Sequence, residues 1–262
     1  MKLSIITVCL NSEKNILKTI KSVINQDYNN FEYIFVDGKS TDKTIKIIQS
    51  FKDSRIKLIS EKDSGIYDAI NKGIRVSNGD IVYVLHSDDY FIHNNVLKET
   101  VDIFNKNSKI NIITSDVKIV DSKNHNRVIR YSSAKNFKKW KLYFGFFPPH
   151  PGMFIKRDAY KDIGLYEIIY KLAGDFDWVS RAFAKNKFNN LYVSKVFVHQ
   201  QAGGLSNMKL STSFKSTKEI NMILKKNFNF SFILFLYIRL PIKFFNQIYY
   251  KIRYILFNDQ NF

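Results

Sequence analysis

The feature that most constrains this chain is an apolar run, Ile81-Val82-Tyr83-Val84-Leu85, stopped abruptly by His86-Ser87-Asp88-Asp89. A continuous run of this length follows the turn sequence Ser77-Asn78-Gly79-Asp80 and predicts a buried strand. Two adjacent carboxylates at its carboxyl end are unusual. Side by side they repel, and they are costly to desolvate unless a cation or hydrogen-bond donors face them. Ligands of open α/β sheets sit in the crevice beyond such strand ends. One reading is therefore a divalent-metal site for a nucleotide diphosphate, since Mg2+ is usually held by one or two carboxylates plus substrate phosphates. The other is that Asp88 caps the next helix and Asp89 is solvated.

The segments before this strand alternate in the same way. Residues 3–10 predict a first strand, 13–25 a helix, 31–36 a second strand, 43–51 a helix and 55–59 a third strand. A helical segment, 66–76, then leads into the strand at 81–85. Strands alternating with helices at this spacing imply βαβ units and a parallel sheet, hence an α/β fold. Beyond Asp89 the pattern predicts a helix to about Phe104, strands at 110–120 and 127–131, an aromatic and basic stretch at 137–147, and a short strand at 153–156. Pro148, Pro149 and Pro151 force an extended path between the last two. A helix opening at Gly174 and a strand at 191–198 follow.

Several polar residues stand where strands end or helices begin. Asp37 opens the turn Asp-Gly-Lys-Ser-Thr-Asp and can accept hydrogen bonds from a base or ribose; an ordinary βα turn capped by Thr41 or Asp42 is the plainer reading. His150 lies in the proline-stiffened loop, either as a satisfied structural histidine or as a wall of an acceptor pocket. Asp175 and Asp177 fall in the first turn of a helix, where acids complement the dipole. One of them is also a candidate general base. His199 ends a strand ahead of Gly203-Gly204-Leu205-Ser206, a glycine loop that can close over phosphates or simply leave the sheet.

Length and charge bound the rest. The 262 residues allow one large α/β domain plus an appendage, and the net charge of +18 predicts attraction to polyanions: nucleic acid, anionic lipid or phosphorylated substrate. Cys9 is the only cysteine, so no intrachain disulfide can form and a reducing compartment is the simplest setting. The amino terminus lacks the pattern of a usual signal peptide. No apolar run approaches the ~20 residues needed to span a bilayer. From Lys225 onward aromatics interleave with Lys226, Arg239, Lys243, Lys251 and Arg253, and Pro241 breaks the segment. Such a tail suits either a helix lying in a membrane interface or a helical pair packed on the core or a second subunit.

Taken in order, SIITVCLN at 4–11, FVDGKSTDKT at 35–44, SEKDSGIYDAINKG at 60–73, NGDIVYVLHSDD at 78–89, HPGMFIKRD at 150–158, AGDFDWVSR at 173–181 and GGLS at 203–206 resemble a family-2 glycosyltransferase. The resemblance is to the type that builds bacterial surface polysaccharides. It implies a GT-A fold: a Rossmann-like, mostly parallel central sheet flanked by helices over residues 1–210, with a basic aromatic helical tail at 211–262. It implies an inverting transfer of a sugar from a nucleotide diphosphate, most commonly UDP, to a hydroxyl of a glycan or lipid-linked acceptor. Mn2+ or Mg2+ would be the cofactor, and the enzyme would sit peripherally on the cytoplasmic face of an anionic membrane, with no nucleic-acid partner.

On this resemblance Asp175 is the catalytic base, and Thr7, Asn11, Asp37, Asp63, Asn71 and Asp88 serve the donor. Asp89 is the metal ligand, because Ser87 replaces the first carboxylate of the family's Asp-x-Asp motif. Gly174 stands where a Glu commonly precedes the base. His150, Asp177, His199 and Ser206 are candidates for the acceptor side and its loop. The competing function is a non-catalytic nucleotide- or polyanion-binding module. A processive synthase is disfavoured, since spanning helices and a Gln-x-x-Arg-Trp motif are both absent from the sequence.

Overall fold

The structure, a computed structural model, describes residues 1–184, 188–203, 210–230, 236–237, 241–242, 245, 248–250 and 252. Among these residues one nine-stranded sheet organises the chain. Its first half consists of β1 (Leu3–Cys9), β2 (Phe31–Asp37), β3 (Ile56–Ser60) and β4 (Ile81–Val84). These run parallel in the spatial order β3-β2-β1-β4. The crossovers are α1 (Ile16–Ile24), α2 (Thr44–Ser50) and α3 (Ile66–Val76). Each helix forms because its apolar residues recur on one face. In α1 these are Ile16, Ile20 and Val23, and in α3 they are Tyr67, Ile70 and Ile74.

Side chains of β1 alternate between two core layers, as a pleated strand requires. Ile6 and Val8 join the layer under α3, while Leu3 and Ile5 join the layer under α1. Gly73 lets α3 lie close on β1, since a Cβ there would stand 2.5 Å from Ile6 Cγ2.

Past β4 the sheet becomes mixed. The elements are β5 (Tyr90–Phe91), α4 (Val96–Lys106), β6 (Ile112–Val120), β7 (Val128–Ser132), β8 (Met153–Lys156), α5 (Arg157–Ile163), α6 (Gly174–Ala184), β9 (Asn190–Gln201) and α7 (Leu210–Phe228). Strand β8 lies antiparallel between β4 and β6, β7 pairs antiparallel with β6, and β5 pairs antiparallel with β9. Only β6 and β9 run parallel here. The expected parallel sheet therefore describes β1 to β4. Hairpin and loop returns, which need no helical crossover, reverse the rest. Register shifts in β6 between Ser115 and Val117, and between Ile119 and Val120, mark bulges that bend the sheet. Helix α7 lends Ile220, Ile223 and Leu224 to the core layer that holds Phe176 and Trp178 of α6. No helix among the described residues is long and apolar enough to cross a membrane.

Candidate active site

The loops that follow β1 to β4 meet at the carboxyl edge of the parallel strands. Asn11 adopts a left-handed backbone (φ 51°), which a short polar side chain tolerates. Its Oδ1 accepts from the Thr41 N–H at 2.9 Å, and its own N–H donates to Ser40 Oγ at 2.8 Å. Asp42 laces the same loops: Oδ1 accepts from the N–H and hydroxyl of Thr44, at 2.9 and 2.6 Å, and Oδ2 accepts from the Glu13 N–H at 3.0 Å.

Asp37 is fully buried, and its Oδ2 accepts from the Ser40 N–H at 3.0 Å and the Ser60 hydroxyl at 2.8 Å. It fixes the shape of the turn from beneath. Gly38 leaves that turn open towards the half-buried Asp63, since a Cβ on Gly38 would stand 2.5 Å from Asp63 Oδ2. Asn11 and Asp63 thus border the crevice. Two of the residues expected beside them do not. Thr7 shares the face of β1 that carries Leu3 and Ile5, and its hydroxyl meets that of Tyr33 at 3.1 Å inside the core. Asn71 lies on the inner face of α3, where its side chain exchanges hydrogen bonds with the backbone of Tyr166 at 2.8 and 2.9 Å.

The loop 86–89 is strapped to the start of α1. Ser87 Oγ lies 2.9 Å from Ser12 Oγ, and the Thr19 hydroxyl donates to the Ser87 carbonyl at 2.9 Å. Asp88 caps no helix: the next one, α4, begins at Val96 with Asn95 at its cap. Of the pair, Asp88 is half-buried and reachable, whereas Asp89 is 0% exposed. The assignment of Asp89 as the direct metal ligand is therefore revised. The Asp89 N–H donates to the His86 carbonyl at 3.0 Å, and Tyr90 at once pairs with His199 of β9, so the chain turns inward at Asp89.

Neither oxygen of Asp89 has a hydrogen-bond partner among the described residues. Burial, and secondarily the charge of Asp88, hold its carboxyl well above the usual carboxylate range; the nearby Gln201 amide opposes this without making a bond of ordinary geometry. An accessible carboxylate backed by a buried, unpartnered one suits a hard divalent cation that completes its shell with phosphate oxygens and water. Among the described residues there is no preformed group of three or more acidic, histidine or cysteine ligands. The fit is thus to one or two carboxylates plus substrate.

From Asp88 a row of rings leads to α6. His86, two residues away, lies 6.0 Å from His150 between ring centroids. His150 Nε2 is 2.9 Å from the Tyr166 hydroxyl. Tyr166 stacks on Tyr67 at 5.8 Å, and the Tyr67 hydroxyl donates to Asp175 Oδ1 at 3.3 Å. Burial, helped by His86, pushes His150 down to about 3, and burial also lowers His86 against the pull of Asp88. Both imidazoles are neutral at physiological pH. Burial holds the Tyr67 phenol well above its usual range, so it keeps its proton and donates. Asp175 is half-buried in the first turn of α6, and the Phe176 N–H also donates to its Oδ1, at 2.8 Å.

Asp177 does not share this outlook. It is fully buried on the far side of the helix, where Arg181 Nε donates to Oδ2 at 2.8 Å and Asn227 Nδ2 to Oδ1 at 3.1 Å. Arg181 also donates to the carbonyls of Ile163 and Leu165. Asp177 fastens α6 to α7 and to the preceding loop, and the acceptor role expected for it is withdrawn. His150 is buried in the row of rings rather than exposed as a pocket wall. His199 lies behind the Asp88-Asp89 turn, with Nδ1 3.3 Å from the Tyr90 hydroxyl, and does not join the row. Ser206, with Gly204 and Leu205, lies outside the described residues. The resemblance put Tyr67 in the donor-side loop, whereas His86 and Tyr166 were missed as members of the site. Tyr67 and His86 sit inside quoted motifs, but Tyr166 carries no local signal.

A profile of the family described as Glycosyl transferase family 2 matches residues 4–164, from β1 to the end of α5. The chain is 28% identical over 215 residues to the PGL/p-HBAD biosynthesis glycosyltransferase of Mycobacterium bovis (strain BCG / Pasteur 1173P2), covering 80% of this chain and 81% of that protein. Its fold resembles that of S. aureus TarS 1-349 in complex with UDP-GlcNAc, with a TM-score of 0.66 at 20% identity over 87% of this chain and 68% of that one. It also resembles the mannosyltransferase PcManGT from Pyrobaculum calidifontis in complex with GDP-Man and Mn2+. There the TM-score is 0.67 at 14% identity over 97% of this chain and 75% of that one. At such identities the two structures share the fold.

Proposed function

The chain belongs to glycosyl transferase family 2, with the GT-A fold, and from that premise we propose that it transfers a sugar from a nucleotide diphosphate to a hydroxyl with inversion, dependent on a divalent metal. The acceptor is a glycan or lipid-linked sugar in surface-polysaccharide synthesis, such as lipopolysaccharide, O-antigen or capsule, and UDP is the first nucleotide to test. One observation carries the reading: the row of rings that joins the accessible Asp88, at the end of β4, to Asp175, at the start of α6.

Donor and acceptor would occupy opposite ends of this row. Asn11 and Asp63 border the crevice where the nucleotide would lie, with Asp37 setting the turn beneath it. Asp88 would hold Mn2+ or Mg2+ together with the donor phosphates. Asp89, whose carboxyl burial holds well above the usual range, would add a second negative charge behind it only once a bound cation favours loss of its proton. Bound there, the cation neutralises the departing diphosphate as a Lewis acid. Asp175 would take the proton of the acceptor hydroxyl, a service typically worth ~10²–10⁴-fold. Tyr67 and the Phe176 N–H both donate to one oxygen of Asp175 and so fix the carboxylate's orientation. A single base, with no second carboxylate placed beside it among the described residues as a nucleophile, suits direct displacement and inversion.

A thermal-shift screen of nucleoside diphosphates with and without Mn2+ tests donor binding, because occupancy raises apparent stability. The chemistry is tested by Asp88→Asn and Asp175→Asn with a proven donor–acceptor pair. Unchanged turnover in both variants would overturn the proposal. The basic aromatic tail supports a peripheral position on an anionic membrane, where a lipid-linked acceptor resides.

A further inference from the structure

The stretch 135–147, Lys-Asn-Phe-Lys-Lys-Trp-Lys-Leu-Tyr-Phe-Gly-Phe-Phe, has no part in the chemistry above. It carries four lysines and six aromatic residues, and no Asp or Glu occurs anywhere between Asp121 and Asp158. Its inner side is fixed. Leu142 is fully buried, Phe137 packs edge-on against Phe183 at 5.0 Å, and Phe147 against Phe176 at 5.5 Å. A 3-10 turn, Lys139–Phe144, closes at Gly145 in a left-handed conformation (φ 71°). Because its inner residues are locked, the turn presents its outer residues rigidly.

Trp140 stands on that outer side, 57% exposed, with Lys141 Nζ 5.7 Å over its ring. Lys135 and Lys138 are exposed and make no ion pair among the described residues. The same surface continues onto the end of α7. Tyr143 contacts Phe228 and Phe230 at 5.1 and 5.2 Å, Phe230 is 41% exposed, and Lys225 is exposed beside it.

We propose that this face, with Trp140 as its anchor, docks the enzyme on an anionic lipid bilayer. Tryptophan is favoured at membrane–water boundaries because its ring is apolar and its N–H polar, and lysines beside it meet lipid phosphates. The charge is of one sign, which matches an anionic surface, and exposed Phe230 supplies apolar area that a nucleic-acid backbone would not use. Phe147 ties the face to Phe176, the neighbour of Asp175, so docking would bring the acceptor end of the cleft to the bilayer. That last consequence rests on the transferase reading; the docking itself does not.

Intrinsic fluorescence of the full chain offers a direct test. The chain has two tryptophans. Trp178 is 0% exposed, with its indole N–H on the Gly164 carbonyl at 2.9 Å, so a vesicle-induced shift reports Trp140. Emission should move to the blue with phosphatidylcholine vesicles containing phosphatidylglycerol, not with phosphatidylcholine alone, and the shift should fade at high salt. Lys135→Ala with Lys138→Ala should lower partitioning about 25-fold, about fivefold per lysine near the surface. Trp140→Ala should weaken flotation while leaving the Mn2+-dependent thermal shift with nucleotide intact. A Trp140 emission that ignores anionic vesicles overturns the proposal, even if the tail still floats the protein. So does a shift produced by an oligonucleotide and not by vesicles. Failure of nucleotide binding in the wild type would instead sink the transferase reading and leave the docking result standing.

Discussion

Acid should destabilise this protein more than its carboxylates alone require, and His150 is the reason. Its imidazole is buried, paired with the Tyr166 hydroxyl, and displaced from 6.5 to about 3. The unfolded chain takes up that proton near pH 6.5, and the folded protein only near 3. In the window between, the unfolded state binds more protons, so stability falls as pH falls. The contribution is complete above the unfolded value, drains away below it, and levels off once the folded imidazole titrates. At about 1.4 kcal/mol per unit, the loss between pH 6 and pH 4 comes to about 2–3 kcal/mol. The measurement is urea unfolding of the wild type and His150→Gln across this range. Glutamine keeps an amide partner for Tyr166 and removes the titration. His86, lowered by the same burial, also feels the charge of His150, so the pair is compared again in a His86→Gln background to isolate the His150 contribution. A difference curve that is flat from pH 6 to pH 4 would refute the argument.

Other consequences can be checked with single substitutions. Asp89→Asn removes a buried carboxylate without partners among the described residues. Metal-free stability should rise by about 1–2 kcal/mol while the response to Mn2+ weakens, and a loss of stability in a thermal melt would contradict the account. Asp175→Asn should cut turnover ~10²–10⁴-fold with stability nearly unchanged. Two residues on, Asp177→Asn should cost about 1.5–3 kcal/mol in denaturant unfolding, because it removes the charge-assisted bond from the part-buried Arg181. Tyr67→Phe should lower kcat and leave the donor KM alone, since it removes only the hydroxyl that points Asp175; equal changes in both would place Tyr67 in donor binding instead.

The parallel half of the fold was legible because each strand is a short apolar run and each crossover helix shows its own period. The mixed half was not, for its pairings depend on distant partners. Nothing local announces that Met153 to Lys156 will slot between β4 and β6. The same division runs through the site. Motif position identifies Asp88, Asp89 and Asp175 as polar residues at element ends, but exposure is decided by tertiary packing. Asp88 and Asp89 are neighbours with the same chemistry, and only the pairing of Tyr90 with His199 turns one inward. Asp175 and Asp177 share a helical turn, yet Arg181 and Asn227 claim the second. The resemblance offered Thr7 and Asn71 as donor residues, but Thr7 lies within β1 and Asn71 within α3, and packing turns both side chains to the interior.

The glycine before Asp175 shows how a departure from the resembled pattern can be absorbed. Where a glutamate commonly precedes the base, Gly174 leaves room for a ring: a Cβ there would lie 2.8 Å from Tyr67 Cδ2. Any larger residue would push Tyr67 away and break its hydrogen bond to Asp175. The two arrangements would act on the proposed base by different physics. A neighbouring carboxylate acts by like-charge repulsion, which favours the protonated form, whereas a phenol donates to the charged form and favours it. Burial keeps the Tyr67 proton in place, so the donation persists through the whole physiological range. Gly174 and Tyr67 therefore form one unit, and Gly174→Glu, which would restore the commoner residue, should lower activity here unless Tyr67 is shortened at the same time.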